Sequence, residues 1–209
     1  MIKVALADNY PVVHFGIKSY FETSTEIEIV ANVGNFDLIK DALKQKNIDV
    51  LIIDIELSGM SSVLDLKALV KDFPDTKILI FSNYSEQMYG PNCIKMGASG
   101  YIRKTEKLEF LKNAILKVYY GEIVLTDAVQ KSIKMIGNQN KSERLHRKLS
   151  TREIEVLRHL SDGKKNNEIA VILGLNEKTV STYKLRLLIK LSVTNLLDLV
   201  NKAKNLDLI

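Results

Sequence analysis

The chain has 209 residues, 46% hydrophobic and 26% charged, which are ordinary globular values and exclude disorder as its main state. A single cysteine, Cys93, excludes an internal disulfide framework and any multi-cysteine metal site, and the three histidines (His14, His146, His159) make no metal-spaced pair. The net charge of +5 is uneven: residues 141–209 carry 14 Lys and Arg against 8 Asp and Glu, whereas residues 1–140 carry 16 against 17.

A near-neutral front and a basic back predict two domains, the second facing a polyanion. No apolar run approaches the ~20 residues of a transmembrane helix, and the opening run Met1–Leu6 is too short for a signal peptide. The expected location is the cytoplasm, with no membrane partner.

In the first 125 residues short apolar runs alternate with helical patterns. Strands are expected at Ile2–Ala7, Ile27–Val33, Val50–Asp54, Ile78–Phe81 and Gly100–Ile102. Helices should follow at Pro11–Phe21, from an Asn35 cap to about Gln45, at Ser62–Phe73, Glu86–Met96 and Lys107–Tyr120. Five strands each followed by a helix imply an α/β fold, a doubly wound parallel sheet with helices on both faces. With strand order 2-1-3-4-5, the crevice opens between the ends of strands 1 and 3.

The residues at the strand ends carry chemistry. Strand 1 ends in Asp8-Asn9, strand 3 in Asp54, strand 4 in Ser82, and Lys104 follows strand 5. An acid after a strand often just caps a turn; this one has company. Two acids, a hydroxyl and an ammonium at one crevice suit transfer of a phosphoryl group onto the Asp54 carboxylate. A Mg²⁺ on oxygen ligands would neutralise charge on the phosphoryl oxygens, Lys104 would add a point charge, and Ser82 a hydrogen bond.

These residues, with Ala7-Asp8-Asn9-Tyr10-Pro11, Ile80-Phe81-Ser82 and Gly97–Lys104, resemble the flavodoxin-like receiver domain of two-component response regulators over residues 1–122. The resemblance implies that Asp54 accepts phosphate from a sensor histidine kinase and that Ser82 and Tyr101 act as the switch pair. It departs in three places: Asn9 stands where the family usually has a second acid, Ser58 replaces the usual Pro, and Asn83 follows the switch hydroxyl. Asn9 keeps an oxygen but loses a charge, so the expected metal set is Asp8, Asn9 and Asp54, with Glu56 restoring a negative charge.

Thr126–Ile136 reads as a short helix, and the polar stretch 137–144 as a linker within 123–147. From 148 to 209 the pattern is all-α. Ser150 with Glu153 forms a capping box ahead of Ile154, Leu157 and Leu160, and Asp162-Gly163 stops that helix. A short helix Glu168–Leu173 ends at Gly174, Asn176 caps a third running Glu177–Leu191, and a fourth spans Thr194 to about Lys204. Two short helices around a glycine-containing turn describe a helix-turn-helix.

This block resembles the LuxR/NarL-type DNA-binding domain through Leu149–Leu157, Gly163, Glu168-Ile169-Ala170, Leu173, Thr179-Val180, Tyr183 and Lys190-Leu191. At 100° per residue, Val180, Leu187 and Leu191 mark the core side of the third helix, leaving Ser181, Thr182, Leu185, Arg186 and Ile189 toward a major groove. Arg186 suits bidentate contact to guanine, and Ser181 and Thr182 suit adaptable contacts. Lys184 must snorkel outward, and Lys178, Thr179 and Lys190 complete the expected DNA set. The resemblance implies a dimer through the last helix, with Leu196, Leu199, Val200 and Ala203 as its apolar surface.

The expected function is transcription regulation on double-stranded DNA, switched by phosphorylation of Asp54. The rival within the family is a phosphorylation-independent regulator with a degenerate receiver. A phosphatase, the rival enzyme, would need a second Asp two residues after the first, where this chain has Glu56; no enzyme is expected.

Overall fold

The computed structural model describes residues 1–127, 130, 149–206 and 208–209. The expected helix over 126–136 and the expected linker therefore fall largely outside the described residues. The described chain forms two compact units, Met1–Glu86 with Asn92–Thr126, and Gln87–Pro91 with Asp127–Ile209.

Residues 2–119 alternate β1 (Ile2–Ala7), α1 (Pro11–Phe21), β2 (Ile27–Val33), α2 (Ile39–Lys46), β3 (Val50–Ile53), α3 (Leu66–Asp72), β4 (Lys77–Ser82), α4 (Glu86–Lys95), β5 (Gly100–Arg103) and α5 (Leu108–Tyr119). The five strands are parallel in the order β2-β1-β3-β4-β5. Successive side chains point to opposite faces of a strand, and here both sets are buried. Val4, Leu6, Ile52, Leu79, Phe81 and Ile102 join Ile17 and Phe21 of α1 and Leu111, Ile115 and Val118 of α5 in one core. The alternate residues Ala5, Leu51, Ile53, Ile78 and Ile80 are equally buried, as strands covered on both faces require.

Local chemistry sets the ends. Asn35 caps its helix as expected, accepting from Asp37 N–H, but the first turn (Phe36–Leu38) is 3-10 and the α-helix begins only at Ile39. Asn47, with φ 44°, closes that helix in the left-handed region. Gly100 lies so close to its neighbours that an added Cβ would sit 2.8 Å from Leu79 Cδ1 and 2.9 Å from Val124 O. That room lets Val124 pair with Gly100 as a short parallel extension beyond β5.

The second unit holds α6 (Thr151–Ser161), α7 (Asn166–Leu173), α8 (Glu177–Leu191) and α9 (Leu196–Asn205). Ser150 and Glu153 form the expected capping box, and Asn176 accepts from Thr179 N–H to cap α8. The helix expected from Glu168 starts two residues earlier, because the Glu168 carboxylate reaches back to Lys165 N–H at 2.6 Å. Ile154, Leu157, Leu160, Ile169, Leu173, Val180, Leu187 and Leu191 are all buried, so the core side of α8 falls where the helical period put it. α9 divides the expected apolar surface: Leu199 and Ala203 are fully buried inside the bundle, and Leu197 beside them is 71% exposed. α9 packs against α6 and α8 through the buried pair, while Leu196 and Val200 of the expected surface stay partly exposed.

Candidate phosphoacceptor crevice and nucleic-acid interface

Strand register builds the first site. Ala7 pairs with Ile53, so Asp8 and Asp54 leave the sheet side by side, and Asp54 N–H donates to Ala7 O at 2.9 Å. β4 pairs with β3 on one side and β5 on the other, which brings Ser82 beside Arg103. Lys104 is the next residue, and its N–H donates to Ser82 O at 2.9 Å. These are the carboxyl ends of the strands flanking the reversal in strand order, where open α/β sheets place a crevice.

Asp8 and Asp54 are each 1% exposed. The Lys104 ammonium bridges them, hydrogen-bonded to Asp54 Oδ2 at 2.5 Å and 2.6 Å from Asp8 Oδ2. Both contacts are close ion pairs, so the one ammonium serves an oxygen of each buried carboxylate. Asp8 Oδ1 accepts from Tyr10 N–H at 2.8 Å and Asp54 Oδ1 from Glu56 N–H at 3.1 Å. Burial alone would push the Lys104 pKa down; the hydrogen bonds and charges of Asp54 and Asp8 outweigh it and hold the pKa above the ordinary lysine value.

The structure gathers two of the four residues expected around a metal. Asn9 is turned onto the loop after β3, its Nδ2 donating to Glu56 O at 2.7 Å and its Oδ1 accepting from Ser58 N–H at 2.8 Å. The Glu56 carboxylate accepts instead from the Tyr84 hydroxyl at 2.6 Å. Both side chains are engaged by neutral partners nearby, and among the described residues no group of three His, Cys, Asp or Glu is arranged for a cation. Asp8 and Asp54 still fit a small hard cation. Two buried carboxylates carry more negative charge than one ammonium neutralises, and Mg²⁺ is commonly held by one or two carboxylates with water or phosphate completing its shell.

Ser82 and Tyr101 are both buried and meet at one residue. Tyr84 N–H donates to Ser82 Oγ at 3.4 Å, and Tyr101 Oη donates to Tyr84 O at 3.1 Å. Sequence reasoning missed Tyr84, because a tyrosine in a loop carries no periodic signal. It also missed Tyr10, whose ring centroid lies 5.4 Å from Lys104 Nζ.

The second site is the outer face of α8, where Lys178, Ser181, Thr182, Leu185, Arg186 and Ile189 are exposed. Arg186 lies over the Tyr183 ring, 5.8 Å from its centroid. Three hydroxyls bond within the protein: Thr179 donates to Asn176 Oδ1 at 2.9 Å, Thr182 to Lys178 O at 2.9 Å, and Ser181 accepts from Asn166 Nδ2 at 3.0 Å. Lys184 is half-buried, as its place near the core side requires. Lys190 departs from the expected DNA set. Its ammonium pairs with Glu153 at 2.7 Å and ties α8 to the start of α6. Burial would raise the Glu153 pKa, but hydrogen bonds from Lys190 and Ser150 outweigh it and hold it below the ordinary glutamate value.

Among the described residues no helix is long and apolar enough to cross a membrane. Residues 4–116 match the family model for the response regulator receiver domain, and residues 147–203 that for bacterial regulatory proteins of the luxR family. A putative transcriptional regulator of Pseudomonas aeruginosa is 32% identical, covering 100% of both chains. The oxygen regulatory protein NreC of Staphylococcus carnosus is 31% identical over 97% of this chain and 96% of its own. RcsB of Salmonella enterica serovar Typhimurium, solved bound to the promoter rprA in the presence of phosphomimetic BeF₃⁻, superposes with a TM-score of 0.77 at 24% identity, over 97% of this chain and 98% of that one.

Proposed function

Since the chain belongs to the response regulators that join a receiver domain to a LuxR-type DNA-binding domain, we propose that it controls transcription through phosphorylation of Asp54 by a sensor histidine kinase. The observation that carries this reading is the Lys104 ammonium bridging Asp8 and Asp54 at the strand ends. An Asp54 carboxylate oxygen attacks phosphorus, the bond from phosphorus to the kinase imidazole nitrogen breaks, and that nitrogen takes up a proton. Asp54 then carries an acyl phosphate. Lys104 counters the added negative charge, and Ser82 donates its hydroxyl to a phosphoryl oxygen. Asp8 and Asp54 would hold Mg²⁺, which supplies further charge neutralisation at those oxygens. Tyr101 and Ser82 carry the change outward through their shared partner, Tyr84.

Residues 1–122 form the receiver, 123–147 the linker and 148–209 the DNA-binding domain, in a cytoplasmic homodimer that binds an inverted repeat with half-sites about one helical turn apart. In the second unit Arg186 reads a base, Ser181 and Thr182 make adaptable contacts, and Lys178, Thr179 and Lys184 position the phosphates.

The phosphorylation-independent reading keeps the same DNA-binding unit. What favours it is the commitment of Asn9 and Glu56 to neutral partners, which leaves two carboxylates for a metal. Intact mass after treatment with acetyl phosphate and Mg²⁺ separates the two. An adduct on the wild type that Asp54→Ala abolishes supports Asp54; an adduct that persists in the variant refutes it, and no adduct at all leaves the degenerate receiver.

A further inference from the structure

Asn9 departs from the receiver pattern in charge, yet its contacts match its chemistry as an amide. The loop after β3 turns one carbonyl, Glu56 O, and one N–H, that of Ser58, toward the same side chain. An amide offers one acceptor oxygen and an NH₂ donor, so it satisfies both at 2.7 and 2.8 Å. The complementarity also fixes which way the amide points, since the flipped orientation would face oxygen to oxygen and N–H to N–H. A carboxylate has acceptors only. It would serve Ser58 N–H and repel Glu56 O, unless a cation sat between them.

The loop so held is the one that presents Asp54. Glu56 N–H donates to Asp54 Oδ1, Ser58 O accepts from Phe36 N–H at 2.7 Å, and Leu57 N–H folds back to Asp54 O at 3.2 Å. Gly59, at φ +83°, lets the chain turn past Asn35. The Asn9 amide is the side-chain link from the end of β1 to this turn.

We propose that Asn9 is a positioning residue that holds the phosphoacceptor loop in place without a divalent cation. The consequence for phosphorylation rests on the reading of Asp54 given above; the clamp itself does not. Any metal held by Asp8 and Asp54 is then needed for charge alone, because the loop is already in place.

The test is hydrogen exchange at the Ser58 amide of the full-length protein, in EDTA and in excess Mg²⁺. The wild type should be protected equally in both. Asn9→Asp should exchange about tenfold faster in EDTA, the size expected when the bond to Glu56 O is replaced by repulsion and the clamp opens more often, and recover protection in Mg²⁺. Asn9→Ala should exchange fast in both. A wild type that needs Mg²⁺ for protection, or an Asn9→Asp protein protected in EDTA, overturns the proposal. Should Asn9→Ala fail to fold, the other two proteins decide. The failure of the phosphoacceptor reading appears elsewhere, as a wild type that takes no acetyl-phosphate adduct while its exchange pattern stands.

Discussion

Replacing Lys104 with methionine keeps most of the side-chain volume and removes the charge that two buried carboxylates share. Lys104 is 8% exposed at its side chain, and Asp8 and Asp54 are 1% and 0%. Both carboxylate oxygens touch the same nitrogen, so they lie within roughly 5 Å of each other, and their repulsion at an effective dielectric near 20 is about 3 kcal/mol. Removing one partner of a buried ion pair costs about 3–5 kcal/mol, so the two arguments agree. The Lys104 pKa is raised, so the stability this group contributes is complete at every pH below the ordinary lysine value. It is lost only as pH climbs through the folded-state value. Between about pH 5 and 8 the wild-type contribution is therefore flat. In Lys104→Met the two buried carboxylates face each other with no ammonium between them, so a divalent cation held there should restore part of the stability. Urea unfolding of both proteins at about pH 5 and pH 8, in EDTA and in Mg²⁺, measures this. The loss should be about 3–5 kcal/mol in EDTA and shrink in Mg²⁺. A loss below about 1 kcal/mol, or one indifferent to Mg²⁺, would refute the shared-charge argument.

Gly100→Ala forces a methyl against Leu79 and the Val124 carbonyl, and should cost the receiver about 1–3 kcal/mol in thermal melts; an unchanged midpoint would mean the segment at Val124 yields freely. Glu153 has a lowered pKa, so the stability it contributes is present above the ordinary glutamate value and lost as pH falls through the folded-state one. Glu153→Gln should accordingly destabilise the DNA-binding unit by about 1–2 kcal/mol near pH 7, with the gap to wild type closing in acid melts. Arg186→Ala should cost about 1–3 kcal/mol and relax preference at one base pair, whereas Lys178→Ala should weaken selected and scrambled DNA alike; equal weakening by Arg186→Ala would make that residue a phosphate contact.

Periodicity made the fold legible. Val50–Ile53 is apolar at every position because both sheet faces are covered, and β1 to β5 fall within one or two residues of their expected bounds. The convergence of Asp8, Asp54, Ser82 and Lys104 was legible for the same reason, since strand ends in one parallel sheet share an edge. The orientation of Asn9 and Glu56 was not. Period and charge place a residue at a crevice, but which way its polar atoms turn depends on backbone groups and a loop tyrosine that no pattern announces. The apolar residues of α9 were legible only in part, through the same blindness. A stripe of apolar residues reads alike whether α6 and α8 or a second copy covers it, and here Leu199 and Ala203 lie inside.

The pairing of Lys190 with Glu153 changes the electrostatics expected of the DNA face. A lysine held at 2.7 Å by a buried carboxylate that also caps α6 cannot turn to a phosphate without leaving Glu153 unneutralised. The cations α8 can offer a duplex are then Lys178, Lys184 and Arg186, and Arg186 is oriented by its contact with Tyr183. Each phosphate neutralised contributes about −0.9 to the slope of log affinity against log salt. If Arg186 reads a base, the two lysines of α8 together account for a slope of only about −2 per protomer. The remainder of a steeper measured slope must then come from cations outside this helix. Lys190→Ala is the control that separates these accounts: it should lower the stability of the DNA-binding unit while leaving the salt slope of the folded protein unchanged.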